Sequence, residues 1–229
     1  MNILIHSTTR HERILPNAFV ELSLAFMKKP LFFILFVLPF AAIAQVDTTA
    51  VIKDTEAFQN ELNNEYSDKS TSPLTSSDFR KFKQHDFFPI DTHYAIEVQL
   101  VLTPNTPFLP MEATGSVVNE YRSYAIVRFE LNGKPCELTL YQSKSLMNTP
   151  EYHDYLFLPF MDETSGNESY GGGRYLEVRI PKEGDTVLLN FNKAYNPYCA
   201  YSHKYSCPRV PANNSLPIAV KAGVRFAGK

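Results

Sequence analysis

The chain has 229 residues and a formal net charge of −2, from 22 Lys+Arg against 24 Asp+Glu. A near-balanced, faintly acidic chain carries no electrostatic footprint for nucleic acid and no polybasic cluster for anionic lipid. It is 44% hydrophobic and 13% aromatic without any tryptophan, enough to bury one real core, and no motif calls for a cofactor.

Met27-Lys28-Lys29 opens a charged segment, Leu31 to Ala44 is apolar throughout, and Ala42-Ile43-Ala44 has the small-x-small form of a cleavage site. This is the pattern of a secretory signal peptide over residues 27–44. A transmembrane anchor would need about 18–20 apolar residues, and this run is shorter and broken by Pro39. Gln45 stands where a lipid-anchored protein needs cysteine. The expectation is export, periplasmic or secreted, with no stable membrane insertion after cleavage. Residues 1–26 are read as a spurious extension ahead of a true start at Met27. The folded domain is expected over 45–229, without internal repeat.

A polar lead-in through Lys53, expected to be mobile, gives way to a predicted helix over 54–68. Phe58, Leu62 and Tyr66 share its inner face. Thr75-Ser76-Ser77-Asp78 then caps a second short helix that points Phe79 and Phe82 inward. From residue 93 the apolar period drops to two. Strands are predicted over 93–103, 121–131, 136–141, 155–160, 174–181, 186–191 and 216–226, the last broken near Gly223. Asn132-Gly133 is the strongest hairpin signal. The predicted fold is mostly β, an antiparallel sandwich or partly open barrel preceded by two short helices.

The stretch from Phe160 to Pro208 is the densest in polar, turn-forming and aromatic groups. Gly171-Gly172-Gly173 before Arg174 can cradle an anion with bare backbone N–H groups. A turn at positive φ is the preferred reading, since no helix and no Lys-Ser/Thr follows. Asp162 and Glu163 offer paired carboxylates, but neighbours on a strand point to opposite faces, and an ion pair of Asp162 with Arg174 is the simpler account. Asn192, Tyr195, Asn196 and Tyr201 form an amide- and phenol-rich loop of the kind that binds sugars or fixes irregular backbone.

Cys199 and Cys207 are expected to pair as a disulfide, with Cys136 spare on a strand. So short a loop adds only about 2.5 kcal/mol. His203 between them keeps a metal reading alive, but no second Cys or His pair completes a zinc set.

Three elements together resemble the bacterial family called domain of unknown function 1684: F-x-D-x-T-x-G at Phe160 to Gly166, Y-G-G-G-R-Y at Tyr170 to Tyr175, and N-P-x-C-A-Y followed by C-P at Asn196 to Pro208. FFPID at Phe87 to Asp91 and the hairpin at Asn132-Gly133 fit as well, so the likeness covers about residues 55–225. Asn190 departs from the acidic residue the resemblance implies before the Phe-Asn pair. The resemblance implies a shared fold and motif patch and supplies no reaction. The leading expectation is a domain that binds a small polar ligand or glycan through Asp162, Thr164, Arg174, Asn192, Tyr195 and Asn196. The alternatives are a hydrolase, with Asp162 as base or nucleophile and Arg174 as stabiliser, and a motif that only welds loops together.

Overall fold

The first helix begins earlier than its apolar spacing suggests. In the computed structural model, which describes residues 46–226, α1 runs Thr48–Ser67. The expected extension over 1–26 and the expected signal peptide over 27–44 lie outside the described residues. Asp47 caps the helix, one carboxylate oxygen accepting from the N–H groups of Thr49 and Ala50 at 3.0 and 3.1 Å. The added turns place Val51 and Thr55 on the buried stripe with Leu62 and Tyr66, so the lead-in is folded from Thr48 onward. Thr75 caps α2 (Ser76–Phe79), its hydroxyl accepting from the Asp78 N–H at 3.2 Å.

Eight strands follow: β1 (Ala95–Gln99), β2 (Val101–Leu102), β3 (Leu109–Pro110), β4 (Glu120–Leu131), β5 (Lys134–Ser143), β6 (Tyr155–Phe160), β7 (Arg174–Arg179) and β8 (Thr186–Asn190). All their pairings are antiparallel. One sheet runs β2-β4-β5-β6-β7, with β3 also on β4; the other is the β1-β8 pair. The sheets do not close into a barrel, and the fold is the mostly antiparallel β class expected, a partly open sandwich. Asn132 (φ 54°) and Gly133 (φ 72°) turn β4 into β5, the double positive φ of a type I′ hairpin. Inward residues of both sheets, Val127, Leu138, Leu158 and Leu176 against Val98 and Leu189, share one core with Ile218 and Val220.

Between β5 and β6 the register holds only at Tyr141 and Phe157. The fully buried Asn214 side chain fills the gap. Its Oδ1 accepts from the Thr139 N–H at 2.9 Å, and its Nδ2 donates to the carbonyls of Thr139 at 2.9 Å and Pro159 at 2.7 Å. One amide thus does the work of a missing piece of ladder. Asn214→Ala leaves these backbone groups without partners and is expected to cost about 2 kcal/mol, read as a lowered urea midpoint; an unchanged midpoint would mean water replaces the amide.

The predicted strand over 216–226 is absent. The segment touches strand-like partners only at isolated bridges, Ser215 with Met161 and Val224 with Phe87. Its alternation is real: Leu216, Ile218, Val220 and Ala222 are buried while Pro217 and Lys221 are exposed. The period of two reports burial, and here an arginine side chain takes the place of a neighbouring strand.

Candidate functional site

That arginine is Arg174, the first residue of β7, paired in register with Phe160 at the end of β6. It is the largest fully buried side chain among the described residues. Its Nη2 donates to Asp162 Oδ2 at 2.8 Å and to the Val220 carbonyl at 2.8 Å, and its Nη1 donates to the Ala222 carbonyl. The Phe160 and Phe88 rings lie 5.3 and 5.9 Å from the guanidinium. Burial pulls the Arg174 pKa down, and the Asp162 carboxylate opposes that pull. Asp162 is equally enclosed, both side chains having no exposed surface. Its Oδ1 accepts from the N–H groups of Thr164 at 2.7 Å and Val220 at 3.2 Å. Thr164 completes the knot, its hydroxyl bonded to Ser169 at 2.8 Å.

The other expected site residues sit elsewhere. Asn192 pairs both ways with the backbone of Asp91, Oδ1 accepting at 3.0 Å and Nδ2 donating at 2.8 Å. Asn190 caps this turn: its Oδ1 accepts from Asn192, and its Nδ2 donates to the Thr55 hydroxyl at 2.9 Å. An aspartate there would have no N–H to give Thr55. Tyr195 exchanges backbone hydrogen bonds with Tyr175 and donates its hydroxyl to Glu177 at 3.1 Å. Asn196, 1% exposed, donates to the Tyr201 hydroxyl at 3.0 Å. The six residues therefore fall into four separate places, and only Asp162, Thr164 and Arg174 meet. With its carboxylate sealed and both oxygens occupied, Asp162 has no open path to a substrate.

The glycine run is a turn, with the Gly173 N–H donating to the Tyr170 carbonyl at 3.0 Å. Gly173 has φ +86°, and a Cβ there would lie 2.6 Å from the Phe160 carbonyl and 2.5 Å from Val210. Gly173→Ala is expected to cost about 2 kcal/mol or more, measured by thermal melting; a variant as stable as the parent would mean the turn re-forms at negative φ.

The open feature lies on the outside of these knots. A cleft of about 490 Å³ separates the β6–β7 loop from the loop after residue 196. Gly166, Ser169, Tyr170 and Gly171 form one wall, and Cys199 to His203 form the other; Thr75 and Phe226 close it. None of the six expected residues lines it. The Phe226 ring stands edge-on to Tyr170 and Tyr201, with centroids 5.4 and 5.7 Å apart. Tyr170 and Tyr201 fall within the dense stretch that the sequence singles out, whereas nothing in the sequence ties Thr75 and Phe226 to it.

Cys199, in the cleft wall, meets Cys207 behind it as two thiols and not as the expected disulfide. The Cys199 N–H donates to Cys207 Sγ at 3.2 Å. A hydrogen bond from the Cys207 thiol, helped by Thr114 and Tyr170, brings the Cys199 pKa down to about 6 against the opposing effect of burial. The same bond and burial push Cys207 up. Cys136 is buried on β5, its pKa raised by that burial. Among the described residues no group of three or more His, Cys, Asp or Glu side chains could hold a metal ion, and no helix is long and apolar enough to cross a membrane.

Fold and knot together define a small, mostly antiparallel β domain whose loops are welded by a buried Asp–Arg pair. The chain belongs to the family described as protein of unknown function (DUF1684), whose model matches residues 80–225. The match begins after α1 and α2, so it is narrower than the span the motifs suggest. Among solved structures the chain is similar to an uncharacterized protein of Haloarcula marismortui determined by solution NMR. The two share 31% identity over 79% of this chain and 96% of that one, with a TM-score of 0.62. No curated protein matches the chain.

Proposed function

We propose that the protein is an exported domain that binds a small polar ligand or a sugar unit in the cleft between the β6–β7 loop and the loop after residue 196. The Asp162–Arg174 and Asn196 groups hold the two walls in place, and the contacts are made by the hydroxyl-bearing residues facing the cleft. The observation that carries this reading is the combination of Tyr170, Phe226 and Tyr201 rings with Thr75 and Ser202 around a space of about 490 Å³. Aromatic faces take the apolar side of a sugar ring while nearby hydroxyls bond its rim, and the volume falls in the usual range for small-ligand sites.

Titration calorimetry with a panel of mono- and disaccharides and small anions tests it. At least one member is expected to bind, with affinity falling about tenfold or more in Tyr170→Ala, the loss of one stacking contact in a small site. A panel without any binder, or binding indifferent to Tyr170→Ala, would remove the reading. Export rests on the segment 27–44. Expression of the full chain in a secreting bacterial host should release protein that begins at Gln45. Retention in the cytoplasm with the leader attached would count against it. In an oxidising compartment the adjacent Cys199 and Cys207 are expected to close into a disulfide, seen as a mass gain of two hydrogens on reduction.

A further inference from the structure

We propose that Cys199 and Cys207 form a thiol–disulfide exchange site, with Cys199 as the attacking thiol and Cys207 as the resolving one, that takes small disulfides through the cleft. The geometry separates their roles. Cys199 lines the cleft and Cys207 does not. Cys207 lies behind it, its Sγ accepting from the Cys199 N–H at 3.2 Å and its own N–H donating to the Thr114 hydroxyl at 3.0 Å. The neighbouring Cys207 thiol, and after it the Thr114 and Tyr170 hydroxyls, favour the Cys199 thiolate against the opposing effect of burial. Tyr170 keeps its proton for that purpose, since burial and the neighbouring Cys199 charge both raise its pKa. A buried structural cysteine in apolar surroundings would have the opposite environment, as Cys136 does.

The chemistry balances with a small disulfide RSSR as the oxidant. The Cys199 thiolate attacks one sulfur, forming Cys199–S–S–R and expelling RS⁻, which takes a proton. Cys207 then gives up its proton to solvent, and its sulfur attacks Cys199 Sγ. The protein disulfide forms and the second RS⁻ leaves. Overall the dithiol is oxidised and RSSR is reduced to two RSH. The thiolate fraction of Cys199 is high at neutral pH, while the proton on Cys207 is surrendered only after Cys199 has been consumed, so the steps are ordered. The pair would then be a reversible one and not only a local staple. This inference uses the same cleft as the proposed binding site but does not depend on a sugar or other polar ligand.

The test uses the whole exported domain, reduced and freed of reductant, with cystamine as probe and intact-mass detection after rapid acid quench. The parent is expected to lose two hydrogens without keeping an adduct. Cys207→Ser is expected to stop at a single cysteamine adduct, located on Cys199 by peptide mapping. In Cys199→Ser, modification of Cys207 is expected to be slower than that of the parent by about tenfold or more. The parent rate should rise with pH to a midpoint near 6, with Cys207, His203 on the same wall, Tyr170 on the facing wall and the Asp78 carboxylate at the cleft as the titratable neighbours. A first adduct on Cys207 or Cys136, a midpoint in the ordinary thiol range near 8.5, or no reaction would overturn the proposal. Sugar binding by Cys199→Ser, measured by calorimetry, reads the other hypothesis separately.

Discussion

Asp162→Ala is expected to lower the stability of the domain by about 3–5 kcal/mol, because it strands the Arg174 guanidinium in the core without its counter-charge. Few single changes in a domain of this size take so much from a total of about 5–15 kcal/mol. Arg174→Met should cost at least as much. It leaves the Asp162 charge buried, and it also takes the donor from the carbonyls of Val220 and Ala222. The combination of Asp162→Ala with Arg174→Met leaves no buried charge. It should therefore be destabilised by clearly less than the sum of the single changes, though still below the parent because those carbonyls remain unpaired. Urea unfolding of the four proteins decides the matter; strictly additive losses would mean that the two charges do not depend on one another.

The second large effect is acid sensitivity centred on His85. The imidazole is buried among Tyr66, Phe82, Phe87 and Tyr201, with ring centroids 4.3 to 5.9 Å away, and its Nε2 has no hydrogen-bond partner. The Tyr201 hydroxyl, 3.5 Å from Nδ1, is its polar neighbour. Burial lowers the pKa to about 4 from an ordinary 6.5. A depressed histidine pKa means that the unfolded chain binds this proton more readily than the folded one. The stabilisation is therefore complete above pH 6.5 and is lost as pH falls toward 4. The total is about 3 kcal/mol at 1.36 kcal/mol per unit. His85→Phe, which keeps the aromatic contacts, should remove this component. Between pH 6.5 and 4 the parent is expected to lose about 3 kcal/mol relative to the variant, so that their stability curves separate on acidification; curves that stay parallel from pH 7 to 4 would show that His85 does not titrate in this way.

Both effects come from polar groups placed where apolar ones would be simpler, and that placement was only partly legible in the sequence. The strand alternation at Leu176, Val178 and Ile180, the Asn132-Gly133 turn and the Thr75 cap each follow from local rules, and each appears where those rules put it. The density of Asp162, Thr164, Arg174 and the amides after Asn190 marked the right stretch. Spacing along a chain does not reveal which side of the backbone a group faces. A cluster rich in polar side chains looks the same whether it lines a hollow or fills a knot. The strand expected over 216–226 and absent there has the same origin, because alternation of Leu216, Ile218 and Val220 is satisfied by burial against Arg174 as well as by a ladder. Thr75 and Phe226 could not have been placed at the cleft by any local rule, since only the fold brings them together.

The segment over 216–226, bonded by Arg174 and by the backbone of Met161 and Glu163 without joining a sheet, acts as a clasp. It fastens the N-terminal part of the domain through Val224 and Arg225, whose N–H donates to the Asp86 carbonyl, and the β6–β7 loop through Phe226, whose N–H donates to Glu168. A chain without residues 216–226 keeps its sheet strands but has neither the plug for the guanidinium nor the third ring of the aromatic trio, and so stays loose enough to be threaded or degraded.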